Sequence, residues 1–318
     1  MKVRQASFWD LGRLEELHQR AGAAFSHAPP TTRLWSMLSH TFQSFLPVIQ
    51  DSLIFLAEDK ERLLGFIQAS GRPDGSALSG VTSLQVLNLV VEPEADLDSV
   101  APPLIEQLAQ LAVQRGIERL FVRLPIEEPV IPVFRRLGFR QYATEHVYFA
   151  ESAAGRSDAI PFGLRPARGQ DVRLLYSLYR KVTPLGVAQM EVPNYKEWRR
   201  LKSEPILRLG RSHSQQWVVD RVEIVGWVGV QKAGSASRPH TLSFLALPER
   251  DLAEELVDFA LQQLGGGPVW SSLRHYDADM IDALRGRGFA TLLNQSLMVK
   301  ELALRAPLRE KVLVPSFG

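Results

Sequence analysis

Apolar positions along this chain keep two rhythms, and the rhythm changes at regular intervals. In SLIFLAEDKERLLGFIQAS (Ser52–Ser70), two runs of apolar and aromatic residues flank a charged break, which predicts a hairpin. The run LQVLNLVV that follows is apolar enough for a buried strand. Beyond it Ala101, Leu104, Ile105, Leu108 and Ala112 recur at helical spacing. Pro102 and Pro103 fit the first turn of that helix, where no backbone donor is missed. ERLFVRL predicts another strand, and FRRLGFRQYATEHVYFAE a short helix, a Gly-Phe break and a last strand.

The same series is written twice. Val3-Arg4-Gln5-Ala6 returns as Leu164-Arg165-Pro166-Ala167, each followed by an aspartate (Asp10, Asp171) and a helix-period series: Leu11, Leu14, Leu17, then Val172, Leu175, Leu178. QQWVVDRVEIVGWVGVQKA repeats the hairpin, TLSFLAL the buried strand, and GPVWSSLR and LRGRGFATLLNQSLMVKEL the closing elements. The order is β-α-(α)-β-β-β-α-β-α-β, twice. It predicts an α/β protein of two domains in separate sheets, 1–150 and 163–305, with a linker at 151–162 and a tail at 306–318. Each sheet is expected to be mixed, mostly antiparallel and flanked by helices.

Composition narrows the chemistry. The 318 residues are 45% hydrophobic, enough for two cores, and contain no cysteine, which excludes disulfides, thiolate metal sites and cysteine nucleophiles. Seven scattered histidines show no metal-ligand spacing, so no metal is expected. Residues 1–150 carry 14 Lys+Arg against 17 Asp+Glu, and 151–318 carry 23 against 18. Neither half has a basic stripe interleaved with aromatics, so no nucleic-acid partner is expected. Without a long uncharged apolar run, no membrane partner is expected either. The N-terminus lacks the apolar core of a signal peptide, and a cytoplasmic location is the simple expectation.

This element order, with Val-x-Pro before a helix and L-G-F after a short one, resembles the GNAT acyltransferase superfamily over nearly the whole chain, as two tandem copies. The resemblance implies that acyl-CoA lies in a gap between the fourth and fifth strands. The pantetheine arm would pair with fourth-strand backbone at Val90 and Val91. The diphosphate would sit on a Q/R-x-x-G-x-G/A turn at the next helix N-terminus, where exposed amides favour an anion and glycines permit close approach. Counted from Pro93, that turn falls on Asp96-Leu97-Asp98-Ser99-Val100-Ala101. Ala101 fits the pattern, but Ser99 stands for a glycine and Asp96 for the Gln or Arg, placing carboxylates near an incoming diphosphate. In the second copy the loop after Pro248 is shorter; Arg250 imitates the Arg, while Ala253 and Glu255 occupy the glycine positions.

Many members carry a tyrosine four residues before the Gly-Phe as general acid; here those positions are Phe134 and Leu284. Polar candidates on the fourth strands are Gln85, Asn88 and Ser243, with Glu92 beside the loop read as a solvated strand end. Tyr142, His146 and Tyr148 alternate on a strand and are candidates to line one face. Asn88 and Trp35 are candidate acceptor contacts. Trp35, Phe42 and Phe45, like Tyr195 and Trp198 in the second copy, either wall an acceptor pocket or pack a helix on the sheet. No catalytic residue is assigned. Two readings stand: an acyl-CoA-dependent N-acyltransferase for a small amine, with acetyl-CoA or another acyl-CoA in the N-terminal copy, or a non-catalytic scaffold of the same fold. A homodimer is left open.

Overall fold

The computed structural model describes residues 1–24, 52–60, 62–71, 82–203, 214–233 and 239–302. The N-terminal half contains β1 (Lys2–Gln5), α1 (Leu11–Ala24), β2 (Ser52–Asp59), β3 (Arg62–Ser70), β4 (Ser83–Val91), α2 (Leu97–Gln114), β5 (Arg119–Pro125), α3 (Ile131–Arg136) and β6 (Arg140–Ala150). The C-terminal half contains β7 (Leu164–Pro166), α4 (Val172–Val182), α5 (Leu185–Glu191), α6 (Tyr195–Ser203), β8 (Ser214–Asp220), β9 (Ile224–Gln231), β10 (His240–Ala246), α7 (Arg250–Gln262), β11 (Val269–Arg274), α8 (Ala278–Gly286) and β12 (Ala290–Glu301).

The two copies do not form the separate sheets expected of them. They share one twelve-stranded sheet, ordered β1-β2-β3-β4-β5-β12-β6-β11-β10-β9-β8-β7. Each half's last strand is exchanged: β12 pairs antiparallel with β5, and β6 pairs antiparallel with β11 and β12. Within this frame each half is mixed, with one parallel rung set, β4–β5 or β10–β11, and antiparallel pairing elsewhere.

Alternation along the strands sends side chains to two faces. On one face Leu84, Leu120 and Ile67 pack against Leu104, Ile105 and Leu108 of α2, and Val219, Val228 and Val230 pack against Leu256 and Ala260 of α7. On the other, Leu14 and Leu17 of α1 cover Leu56 and Phe66, while Leu175, Leu178, Ala188 and Trp198 of α4–α6 cover Val218 and Ile224.

The repeated Val-Arg-Gln-Ala and Leu-Arg-Pro-Ala segments have a shared physical purpose. Arg4 grips Asp10 with both terminal nitrogens, at 2.8 and 2.7 Å, and reaches Glu58 through Nε at 2.8 Å. Arg165 repeats this on Asp171, at 2.8 and 2.9 Å, and on Asp220 at 2.9 Å. Each clamp ties a first strand to the following helix and to the next strand. The Gly-Phe pairs are likewise structural. Gly138 and Gly288 adopt φ of 86° and 87°, and the amides of Phe139 and Phe289 donate back to Phe134 and Leu284 carbonyls at 3.0 and 3.2 Å. Only glycine enters that left-handed turn cheaply, and it ends the short helix.

One helix boundary differs from the sequence reading. α2 starts at Leu97, so Pro102 and Pro103 lie inside it rather than in its first turn. The carbonyls that lose donors belong to Asp98 and Ser99, both exposed to water, which makes the interruption tolerable. Among the described residues, no helix is long and apolar enough to cross a membrane.

Candidate functional site

β4 and β5 are joined by only three rungs, Ser83–Arg119, Leu84–Leu120 and Gln85–Phe121. Beyond the last, β4 runs on to Val91 paired with β3, and β5 runs on to Pro125 paired with β12. An opening is left between them, edged on both sides by backbone polar groups. The amide of Glu92 donates to Leu64 at 2.8 Å. By the alternation of an antiparallel ladder, the backbone of Val90 therefore faces β3, and that of Val91 and Leu89 faces the opening. A bulge between the Gln68–Asn88 and Ala69–Val86 pairs sets Leu87 outside the ladder. The C-terminal half has the same three rungs and the same divergence after Leu242–Ser271, but β9–β10 continues without a bulge.

At the mouth of the N-terminal opening, the side chains spend themselves on one another. Asp96 caps α2, its Oδ1 accepting from the Asp98 amide at 3.3 Å, and Ser99 Oγ donates to the Asp96 carbonyl at 2.9 Å. Asp98 pairs with Arg136 of α3. Leu97 packs at the core's edge, and Val100 and Ala101 are buried within it. Of the predicted loop residues, only Asp96, Asp98 and Ser99 are exposed. Glu92 is not the solvated strand end expected: it is 7% exposed and held by Arg62 at 3.0 Å and Arg20 at 3.5 Å. Its carboxylate is thus committed to two guanidiniums at the strand end.

On the α1 face, Asn88 Nδ2 donates to Gln68 Oε1 at 2.8 Å and Gln85 Nε2 to the Val86 carbonyl at 3.2 Å. Phe134 is fully buried, edge-on to Phe139 at 4.9 Å, and offers no proton. Trp35, Phe42 and Phe45 lie outside the described residues. Their C-terminal counterparts pack as core: Trp198 stacks on Tyr176 and Tyr179 and donates to the Val172 carbonyl at 2.9 Å, and Tyr195 rests on Tyr176.

Tyr142 does not share a face with His146 and Tyr148, whose rings meet edge-on with centroids 6.3 Å apart. Tyr142 sits at a register shift between β6 and β12, and this turns it onto the α5 side. Tyr148 is buried against α7, with the Arg285 guanidinium over its ring, and His146 bonds Asn294 at 2.6 Å.

Spacing gave no sign of the cluster around Tyr142. Its hydroxyl donates to Glu191 Oε1 at 3.0 Å; Tyr179 donates to Oε2 at 3.2 Å, and Arg274 Nη2 to Oε1 at 2.7 Å. Arg274 also faces Glu145 at 3.1 Å, and Glu145 pairs with Arg123 at 3.3 Å. Burial pulls the Arg274 guanidinium down, but Glu191 and Glu145 more than reverse this and hold it charged. Burial, with Glu191 next, pushes the Tyr142 and Tyr179 hydroxyls well above the ordinary phenol range. The α5–α6 segment is also pinned to the N-terminal half: Arg119 donates to the Met190 carbonyl at 2.6 Å and grips Glu197 at 2.9 and 3.1 Å.

The C-terminal counterpart of the phosphate loop is acidic. A cavity of about 260 Å³ along α7 is lined by Ser157, Ala159, Asp251, Glu254, Glu255, Asp258 and Arg287. Arg287 is committed to Asp258 by two bonds of 2.8 Å, and Arg250 turns to Glu254 at 3.2 Å. Four carboxylates against two guanidiniums already engaged by them disfavour a diphosphate. Among the described residues, no group of three or more His, Asp or Glu is placed to hold a metal ion.

Comparison with known proteins gives this geometry a family. Residues 14–139 match the model of the Acetyltransferase (GNAT) family. A tandem GNAT protein from the clavulanic acid biosynthesis pathway superposes with a TM-score of 0.55 at 12% identity, over 96% of this chain and 99% of its own. The N-terminal half carries a GNAT acetyltransferase domain, and the whole chain shares the fold of a tandem GNAT protein. A GCN5-related N-acetyltransferase from Sphaerobacter thermophilus matches this chain at a TM-score of 0.58 and 14% identity, over 95% of each chain. A putative acetyltransferase from Pyrococcus horikoshii matches at 0.55 and 11%, over 95% of this chain and 90% of its own. No curated protein matches the sequence. At these identities the superpositions speak for the fold alone.

Proposed function

We propose that the N-terminal copy binds an acyl-CoA, acetyl-CoA foremost, between β4 and β5 and passes the acyl group to a small amine, in a soluble cytoplasmic protein. The observation that carries this is the bulged, unpaired edge of β4. Leu89 and Val91 present backbone groups to the opening there, while the C-terminal copy lacks the bulge and meets any diphosphate with carboxylates. In the reaction, the amine nitrogen bonds to the thioester carbon and the carbon–sulfur bond breaks. The amine's proton goes to water, and the CoA leaves as thiolate. The amide of Leu87, the residue that the bulge sets outside the ladder beside the Gln85–Phe121 rung, stabilises the oxyanion of the tetrahedral intermediate. Holding amine and thioester together supplies the rest, since no carboxylate or imidazole stands free at Gln85 or Asn88.

A proline at Leu87 tests this directly, because it removes that amide. Leu87→Pro should lower turnover of acetyl-CoA with an accepted amine by roughly 100- to 1,000-fold, a larger loss than in acetyl-CoA affinity by calorimetry. Equal turnover in both proteins would remove Leu87 from the mechanism. The rival reading, a non-catalytic scaffold, draws on Asp96 capping its own helix where the diphosphate would sit. It predicts no heat on titrating acetyl-CoA and no thiol release across an amine panel.

A further inference from the structure

The acyl-CoA reading leaves open what limits the acyl chain, and the following rests on that reading. A pantetheine arm entering between β4 and β5 meets the Gln85–Phe121 rung, where the strands close. A thioester's acyl chain cannot continue in the plane of the sheet and must turn to one face. The α2 face is solid: Leu84, Leu120, Leu104, Ile105 and Leu108 are all 0% exposed. The way out is the α1 face, and there the chain meets Phe121.

Phe121 is 7% exposed, and the Tyr142 ring stands edge-on to it, with centroids 5.9 Å apart and an interplanar angle of 73°. The bulge in β6 turns Tyr142 to this face, and Glu191 of α5 holds its hydroxyl at 3.0 Å. Glu191 is itself fixed by Arg274 and Tyr179. The ring cannot swing away without breaking a buried hydrogen bond to a charged group. The matching bulge in β12 falls at Leu292, which has no hydroxyl for such a hold.

We infer that Phe121 and Tyr142 form the end wall of the acyl pocket, confining it to short acyl groups, and that the C-terminal half sets this limit through Glu191. The second copy then serves as a positioning element for the first, and Glu191 is a positioning residue.

Calorimetric titration of acetyl-, butyryl- and octanoyl-CoA into the full chain tests this, beside Tyr142→Ala, Tyr142→Leu and Glu191→Gln. Wild type should lose at least about tenfold in affinity from acetyl- to octanoyl-CoA. Tyr142→Ala should abolish or reverse that loss, since each methylene newly buried adds roughly fourfold. Tyr142→Leu opens less space and should admit butyryl- but not octanoyl-CoA; it decides the matter if thermal melting shows that the alanine variant is unfolded. Glu191→Gln should relax the discrimination by a smaller factor than Tyr142→Ala. A merely structural role would lower all three affinities together. Acetyl-CoA binding with the same chain-length profile in every variant would overturn this inference alone. No binding of any thioester would overturn the acyl-CoA reading and this inference with it.

Discussion

Glu145 on β6 and Gln295 on β12 face each other, both buried, and the two halves of the chain are related about that pair. On either side Thr144 faces Ser296 and His146 faces Asn294; a step of 150 residues converts one pair into the other. The relation is a pseudo-twofold through the centre of one sheet. Neither half therefore owns its last strand. Cutting the connection at 151–163 should leave the halves together, because β6 stays between β12 and β11 and β12 between β5 and β6. A protease site placed there should give a nicked protein that elutes at the intact size on gel filtration. Elution as two half-sized species would contradict the exchange.

The repeated arginine clamps set the acid limit of stability. Hydrogen bonding by Arg4 and Arg165 holds the Asp10 and Asp171 carboxyls below the ordinary range. A carboxyl depressed in the fold stabilises it fully above the unfolded pKa, about 3.9 for aspartate. That contribution fades as pH falls from there towards the folded value. Asp171→Asn should cost about 3 kcal/mol at pH 6, by leaving Arg165 short of its buried partner. The penalty should shrink at pH 3. Urea unfolding at both pH values measures it, and an equal penalty at the two would argue against the clamp.

Arg274 joins Glu191 and Glu145 from α5 and β6. Arg274→Met leaves Glu191 without its guanidinium and Glu145 with Arg123 alone, in a largely buried site, and should destabilise the chain by about 3–5 kcal/mol. Adding Glu191→Leu should recover part of the loss, because one stranded charge is removed. Denaturant melts of both variants check the order; a double variant weaker than the single would mean that Glu191 stabilises the fold independently of Arg274.

The phosphate turn has kept its length and lost its side chains. Asp96→Arg with Ser99→Gly exchanges a carboxylate for a guanidinium and removes a Cβ from the loop. One charge-assisted hydrogen bond contributes about 1.5–3 kcal/mol, so CoA affinity should rise roughly tenfold to a hundredfold. Losing the cap will cost about 1 kcal/mol of stability. The affinity gain should shrink with added salt. Ala253→Gly with Glu255→Gly should bring no such gain, since Ala253 is buried core and the loop before α7 is shorter. Calorimetry on all three proteins decides; an equal gain from the second pair would misplace the site.

The repeat, the strand and helix order and the Gly-Phe turns were legible because each rests on local periodicity or a single backbone conformation. The strand exchange was not: β6 and β12 would satisfy the same alternation in either half, and only three-dimensional closure chooses. Bulges hid for a similar reason, since one extra residue at Leu87 or Tyr142 reverses the facing that even spacing implies. Proline at positions 102 and 103 misled because the Asp96 cap starts the helix a turn earlier. The Tyr142–Glu191–Arg274 cluster draws on β6, α5 and β11, and no motif of fixed spacing links such distant positions.

Acyl-CoA binding by the N-terminal copy is tested most directly by a crystal structure of the full chain grown with CoA. One CoA per chain is expected, its pantetheine along the free edge of β4 from Val86 to Val91 and its thiol near the Gln85–Phe121 rung. CoA lodged between β10 and β11, or a β4 edge left bare at saturating CoA, would contradict it.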